Sequence, residues 1–303
     1  QEQFNLIGAG RRNLIINGNF AVTQRGDYSS STSVASGAYS VDRWKSNDPF
    51  NLQRFTGQVI DGIRTNYVKV SYNGTASMGF MQLIEDKDYE VLRGQTITIS
   101  AYVRTNQALF GFRLYDGSQK YGPRFVADGN WHRATWTFTW SPSSPSYFQI
   151  LFDTYQGSFP TIGSGDYMDI AMVQVELGKV ATPFEHRSYG EELALCQRYY
   201  QKQIYDSGEM VSVATIWDTN DMYGRLYFPV EFRTAPTFSH NGVSAFSWYS
   251  AGNNAAVSDI FFYDINKQTT KIRWQVGTGR TPGDSAWIQS TANGNFIAAD
   301  AEL

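Results

Sequence analysis

Six polar and aromatic side chains on three predicted strands have the chemistry of a saccharide-binding surface. Aromatic rings stack on the apolar faces of sugars, while arginine, glutamine and aspartate form hydrogen bonds with vicinal hydroxyls. If the three strands are neighbours in one sheet, these side chains form a single patch. The predicted carbohydrate-binding residues are Tyr102, Arg104, Arg113, Tyr115, Gln149 and Asp153.

Alternation along the same three strands predicts a face for each residue. Successive side chains of a strand point to opposite sides, so apolar residues at every second position indicate a buried face. The residues of that face are Ala101, Val103, Phe110, Phe112, Leu114, Phe148, Ile150 and Phe152. An ordinary solvated sheet face, with Arg–Asp pairs that serve solubility, is the alternative interpretation of the predicted patch.

Catalytic and metal-binding motifs are not found in the sequence. The three histidines are too scattered for a zinc motif, and there is no nucleophile elbow, Walker loop or dinucleotide fingerprint. Paired carboxylates suffice for a glycosidase, but the densest acidic group lies beside Lys87 and Arg93 and is interpreted as a solvated turn. That group is Glu85, Asp86, Asp88 and Glu90. We therefore predict no catalytic residue, no metal and no cofactor.

Charge and cysteine content narrow the choice of partner. The net charge is −3 and no basic run exceeds residues 10–13, which disfavours nucleic acid and anionic membranes as partners. The one cysteine, Cys196, excludes an intramolecular disulfide framework. No apolar stretch has the length of a membrane span, so we predict no membrane insertion.

The sequence around the patch residues predicts mostly β-strands. Aromatic residues make up 16% of the chain, and short alternating runs are separated by Asn-Gly and Asp-Gly turns such as Asp61-Gly62. Short strands at even spacing are typical of an antiparallel sandwich or barrel. The fold class predicted is all-β.

One segment has the pattern of a helix. Residues 191–203 lack proline and glycine, Ser188 is the expected N-cap, and Leu193, Cys196 and Tyr200 form an apolar stripe. We predict an N-terminal arm (residues 1–12), a jelly-roll β-sandwich (13–187), a short linker helix (188–204) and a C-terminal β-sandwich tip domain (205–303). The stripe has two explanations: a three-fold axis between copies, or packing on the chain's own jelly roll.

Several motifs resemble the jelly-roll domains of bacteriophage tail-fibre proteins, which are relatives of carbohydrate-binding modules. The resemblance is strong over residues 13–200 and looser beyond. Its most specific part is the run 181–188 followed by 191–200. The motifs are Asn13–Phe20, Gln24–Gly26, Val41–Trp44, Thr98–Arg104, Asn130–Arg133, Val173–Gly178, Ala181–Ser188 and, in the second half, Pro229–Thr237.

The resemblance implies a non-catalytic virion protein, extracellular on the tail fibre and usually homotrimeric, that attaches to host surface glycans. It also implies an N-terminal arm that docks to other tail or virion proteins. Related modules often hold a structural calcium with an acid just after the Asn-Gly-x-Phe motif. Ala21 stands there in this chain, which leaves Asp169 as one carboxylate, too little to predict calcium.

Two other functions remain open from the sequence. A purely architectural fibre or connector protein would use the same jelly roll without binding sugar. A tailspike depolymerase would need a carboxylate pair, for which the sequence offers no positive support beyond the acidic group at 85–90.

Overall fold

In the computed structural model the described residues are 12–74, 77–85, 92–115, 117–140, 148–154, 162–277 and 281–303. The predicted arm, apart from Arg12, lies outside them. The chain divides into two compact units, the first comprising residues 1–193 with Leu303 and the second residues 194–302. Both are built from β-strands, which confirms the predicted all-β class.

The first unit is a sandwich of two antiparallel sheets. Its strands are β1 Thr32–Val34, β2 Trp44–Asp48, β3 Phe50–Ile60, β4 Ile63–Ser71, β5 Gly79–Ile84, β6 Thr96–Thr105, β7 Gly111–Tyr115, β8 Gln119–Arg124, β9 His132–Thr139, β10 Phe148–Asp153 and β11 Tyr167–Leu177. Sheet A has six strands in the order β1-β3-β4-β11-β6-β9, and sheet B has five in the order β2-β5-β10-β7-β8.

One apolar core fills the space between the two sheets. Ile99 and Val103 of sheet A and Phe112 and Ile150 of sheet B belong to the same cluster, with all four side chains inaccessible to solvent. Their neighbours in sequence therefore face outward, as the alternation predicts. Trp44 lies in this core and stacks on Phe80 with ring centroids 4.7 Å apart.

The Asp61-Gly62 turn joins β3 and β4 as the sequence predicts. Both residues have positive φ, 50° and 76°, the geometry of a tight hairpin turn. Ile60 pairs with Ile63 across it.

The segment Asn13–Phe20 is fixed by a buried polar network and forms no strand. The Asn13 amide donates to the carbonyl of Val173 and its oxygen accepts from Ile15 and Val175, at 2.9–3.0 Å. The Asn17 amide donates to the carbonyls of Val22 and Asp42. Gly18 touches β11 so closely that a Cβ would lie 2.2 Å from the Val173 carbonyl oxygen. Asn17 has a positive φ of 58° and its carbonyl accepts from the Phe20 amide at 3.1 Å, so Asn17-Gly18 forms a tight turn that anchors this segment and does not join two strands.

Two charged residues complete this network from the far end of the unit. Arg187 donates to the carbonyls of Asn13 and Ile15 and pairs with Glu192 at 3.3 Å. Glu192, 5% exposed, accepts from the backbone amide of Asn17. Arg187 and Glu192 therefore link the segment after β11 to residues 13–17 at the start of the unit.

Helix α1, Tyr189–Gln197, begins where the sequence predicts and ends earlier. The Ser188 hydroxyl accepts from the Glu191 amide at 3.3 Å while the Glu191 carboxylate accepts from Ser188, a capping box. Tyr200, predicted to extend the helical stripe, begins strand β12 and pairs with Asp300. Tyrosine-rich sequence favours strands, and a partner distant in sequence decides the outcome here. The predicted helix limit of 204 is therefore wrong.

Two further antiparallel sheets build the second unit. Its strands are β12 Tyr200–Tyr205, β13 Met210–Ile216, β14 Asp221–Tyr227, β15 Thr237–His240, β16 Phe246–Ser250, β17 Asn253–Ala256, β18 Asp259–Tyr263, β19 Thr269–Gln275, β20 Ser285–Ser290 and β21 Asn295–Asp300. Three strands pair as β12-β21-β15 and seven as β17-β16-β20-β13-β14-β19-β18. They enclose a second core that includes Trp248, Ile272 and Trp274.

No helix within the described ranges is long and apolar enough to cross a membrane.

Glu185 makes the first unit sensitive to acid. Burial alone would raise the pKa of Glu185, but hydrogen bonds from the Asn13 and Arg12 amides, with Arg187 nearby, outweigh it and hold this pKa below 4.5. A lowered pKa stabilises the fold above pH 4.5, and that contribution is lost as pH falls through the lowered value.

We expect Glu185→Gln to lower the melting temperature of the first unit at neutral pH. Below pH 4.5 the difference in melting temperature between the variant and wild type is expected to become smaller. Thermal unfolding followed across this range checks the prediction. A difference that stays constant with pH would contradict it.

Candidate functional site

The structure divides the six predicted carbohydrate-binding residues between the two sheets. Tyr102 and Arg104 lie on β6 in sheet A, whereas the other four lie on β7 and β10 in sheet B. All six point outward, so they occupy opposite faces of the sandwich. The assumption that the three strands are neighbours holds for β7 and β10 and is wrong for β6. The four residues of sheet B are Arg113, Tyr115, Gln149 and Asp153.

The outer face of sheet B is largely closed at its centre. Met81, Leu83 and Leu151 lie on it, yet they are only 5%, 6% and 1% exposed and Leu303 packs against them. Arg113 and Asp153 form a buried ion pair beside this cluster. Tyr115 and Gln149 remain half-buried. Of the four predicted residues in sheet B, Tyr115 and Gln149 are therefore the two that stay partly accessible. On the neighbouring strand β8, Gln119 and Tyr121 lie on the same outer face.

On the outer face of sheet A, a cluster of aromatic rings surrounds Arg104. Phe55 and Tyr67 stack with centroids 4.6 Å apart, and Trp131 packs edge-on against Tyr67 at 5.3 Å. The Arg104 guanidinium lies 4.9 Å from the Trp131 ring and 5.5 Å from that of Tyr67. Cation–π contacts of this kind hold the guanidinium in place.

Asp169 is the counter-ion of Arg104. Two guanidinium nitrogens approach one carboxylate oxygen at 2.6 and 2.7 Å. Burial raises the pKa of Asp169 although Arg104 opposes that rise. Pairing with Asp169 and stacking on the two rings fix the Arg104 guanidinium within the aromatic cluster.

A cleft of about 260 Å³ opens beside this cluster. The side chains that line it come from the β3–β4 turn, β6, β9, the bulge of β11 and the segment after β11. Its lining residues are Asp61, Ile63, Ser100, Tyr102, Arg133, Met172, Pro183 and Phe184. Of the six predicted residues, Tyr102 alone lines this cleft.

Tyr102 and Asp61 are held to each other inside the cleft. The Tyr102 hydroxyl donates a hydrogen bond to a carboxylate oxygen of Asp61. Burial raises the pKa of Tyr102, and the hydrogen bond to Asp61 raises it further, so the hydroxyl remains a donor. One oxygen of Asp61 is thereby oriented, and the other is free to face a ligand in an exposed turn.

The segment that carries Phe184 is tied down by buried polar groups. The Glu176 carboxylate accepts from the Thr182 amide and hydroxyl at 2.9 and 2.6 Å. Gln174 accepts from the Glu185 amide at 2.8 Å, and Arg133 donates to the Thr182 carbonyl. These contacts hold the Phe184 ring at the edge of sheet A, so the second aromatic wall of the cleft is preformed.

Sequence reasoning missed most of this cleft. Asp61 is recognisable only as a turn residue, and Phe184 only as part of a resemblance motif. Arg133 follows the strand entry at Trp131 but carries no functional signal by itself. Their convergence depends on sheet order, which local patterns do not encode.

No metal centre is formed by the described residues. No group of three or more His, Cys, Asp or Glu side chains is arranged to hold an ion within the ranges that the structure describes. Near Ala21, the Arg54 guanidinium donates to the carbonyls of Phe20 and Ala21 at 2.6 and 3.0 Å. A protein cation therefore already satisfies these carbonyl oxygens, and Asp169 is engaged by Arg104.

Of the acidic group considered for glycosidase chemistry, Glu85 is the one member that the structure describes. It is 6% exposed, so its placement in a solvated turn is wrong. Asp86, Asp88 and Glu90 lie outside the described residues.

No protein-family model and no curated protein matches the chain. Among solved structures, the CBM22-1 xylan-binding domain of Xyn10C from Paenibacillus barcinonensis aligns with 14% identity and a TM-score of 0.33, over 52% of this chain and 99% of that domain. The CBM22-1-CBM22-2 tandem domain of the same protein aligns with 14% identity and a TM-score of 0.34, over 91% and 97%.

A third solved structure is the enzymatically active domain of tailspike protein 4 from bacteriophage CBA120. It aligns with 15% identity and a TM-score of 0.35, over 55% of this chain and 21% of that one. Likenesses with TM-scores this low transfer no ligand and no activity to this chain. Function has to be inferred from its own side chains.

Proposed function

We propose that this chain is a non-catalytic glycan-binding protein that holds saccharide in the cleft beside Tyr102. The observation that carries the proposal is the combination of two preformed aromatic rings, Tyr102 and Phe184, with the polar groups of Asp61, Arg133 and Ser100 in one cleft. Sugar-binding sites combine apolar ring faces with a few oriented polar groups in this way.

The same cleft supports binding and not hydrolysis. Glycosidases flank the scissile bond with two carboxyl groups, one of which acts as the acid. Asp61 is the only carboxylate among the residues that line the described cleft, and its orientation by Tyr102 suits a fixed hydrogen-bond acceptor. A depolymerase at this site would lack its second carboxylate.

We place this activity in a virion: the chain is proposed to be an extracellular tail-fibre protein of a bacteriophage that attaches to host surface glycans. The support is the sequence resemblance, whose motifs at 13–20 and 181–188 hold the first unit together. A homotrimer would raise weak affinity through effective concentration without new contacts. The N-terminal arm is proposed to dock to other tail or virion proteins.

A glycan array probed with the intact protein tests the proposal. We expect binding to a restricted set of saccharides and the same selectivity from a Tyr115→Ala variant. Native mass measurement of the same sample is expected to give three copies. Absence of binding across neutral, acidic and phosphorylated glycans would overturn the proposed function and favour a purely architectural fibre protein.

A further inference from the structure

A pair of aromatic rings on the outer face of the seven-stranded sheet in the second unit is not explained by the cleft in the first. Tyr249 of β16 and Trp287 of β20 are direct cross-strand partners. Their rings are parallel, with an interplanar angle of 6° and centroids 5.6 Å apart. Trp287 is 44% exposed, so the stacked pair is accessible to solvent.

The side chains that surround this pair are uncharged, and several of them are polar. Asn254 pairs with Tyr249, and Ser247 pairs with Gln289 one step along the same face. The inward neighbours Phe246, Trp248 and Ile288 are inaccessible to solvent, which fixes the outward direction of the alternate residues. The Asn254 amide therefore lies beside Tyr249, while Val213 of β13, 66% exposed, lies beside Trp287 on the other side.

Charge is absent from this half of the sheet. The four strands β17, β16, β20 and β13 contain no Asp, Glu, Lys, Arg or His. The other half of the sheet differs, because Lys271 lies 4.3 Å from the Tyr223 ring and Arg273 lies 4.0 Å from that of Phe261. A ligand centred on Tyr249 and Trp287 meets no charged side chain of these four strands. It meets rings, amides, hydroxyls and the exposed apolar side chain of Val213 on β13.

We propose that the second unit carries a separate binding site for a neutral saccharide, centred on Tyr249 and Trp287. Parallel exposed rings offer apolar stacking to the C–H face of a pyranose. Ser247, Asn254 and Gln289 add uncharged hydrogen-bonding groups beside the rings, the combination that a neutral polyol requires. The site goes beyond the cleft at Tyr102 and does not depend on it.

Fluorine NMR of the full chain, labelled with 5-fluorotryptophan, tests the site directly. The eight tryptophan resonances are assigned with single Trp→Phe variants. The labelled protein is then titrated with neutral oligosaccharides of glucose, galactose, mannose and N-acetylglucosamine, and separately with uronic-acid oligosaccharides. We expect a neutral oligosaccharide to shift the Trp287 resonance and uronic-acid oligosaccharides to shift it less. Trp217, 72% exposed and packed edge-on against Tyr223, is the internal control and is expected not to move.

Variants separate this site from the first. Tyr249→Ala is expected to weaken the response at Trp287 about tenfold, while Tyr102→Ala leaves it unchanged. If the cleft at Tyr102 does not bind saccharide, the Trp287 response is still expected in this titration. The two proposals can therefore be disproved independently. The site would be overturned by equal shifts at Trp217 and Trp287, or by no shift with any neutral sugar. A Trp287 shift that depends on protein concentration in the absence of sugar would also overturn it, in favour of self-association.

Discussion

Replacing Tyr102 with alanine is expected to weaken binding of the preferred array glycan by about tenfold or more. The ring forms one aromatic wall of the cleft, and its hydroxyl holds Asp61. Alanine removes both the stacking surface and the hydrogen bond that orients the carboxylate. The side chain is half-buried on an outer face, so the fold is expected to survive. Isothermal titration of the purified variant measures the loss.

Two matched variants make the result specific to this cleft. Tyr102→Phe keeps the ring and loses the hydroxyl, so we expect a smaller loss than with alanine. Tyr115→Ala removes an equivalent half-buried tyrosine from the outer face of sheet B, and binding is expected to be unchanged. A loss in Tyr115→Ala with none in Tyr102→Ala would move the site to sheet B.

The second large effect is expected on stability. Arg187→Met should lower the free energy of unfolding of the first unit by about 3–5 kcal/mol, the usual result when one partner of a buried ion pair is removed. Glu192 would remain buried without its cation, and the carbonyls of Asn13 and Ile15 would lose their donor. The methionine preserves most of the side-chain volume, so lost packing contributes little.

Urea denaturation followed by circular dichroism measures this change, and hydrogen exchange in β11 assigns it to the first unit. Arg124→Met, at an exposed arginine of the same unit, is the control and is expected to change stability by less than about 0.5 kcal/mol. Equal stabilities of the Arg187 variant and the control would show that the network at 13–20 does not hold the sandwich closed.

Local pattern was sufficient to predict the buried and outward faces of β6, β7 and β10. Ala101 and Val103, with Phe148 and Ile150, are buried as alternation predicts, because a half-buried strand must alternate. The Asp61-Gly62 turn was also predictable, since two consecutive residues with positive φ favour aspartate and glycine.

Sheet membership was not predictable from the same residues. β6 and β7 are consecutive in sequence, yet they belong to different sheets. Their hydrogen-bonded neighbours, β11 for β6 and β10 for β7, are chosen by pairing over long sequence separations. The predicted patch therefore combined Tyr102 with residues from the opposite face, while Asp61 and Phe184 were overlooked.

The helix boundary has a similar cause. The sequence at 198–203 has acceptable helix propensity, but pairing of β12 with β21 satisfies its backbone groups in a strand. Tertiary context commonly overrides weak local preference in this way.

A crystal structure of the full chain soaked with its preferred array saccharide tests the central claim most directly. We expect a pyranose ring against Tyr102 and Phe184, with a hydroxyl donating to the free oxygen of Asp61. Sugar density on sheet B at Tyr115 and Gln149, with an empty cleft on sheet A, would contradict the claim.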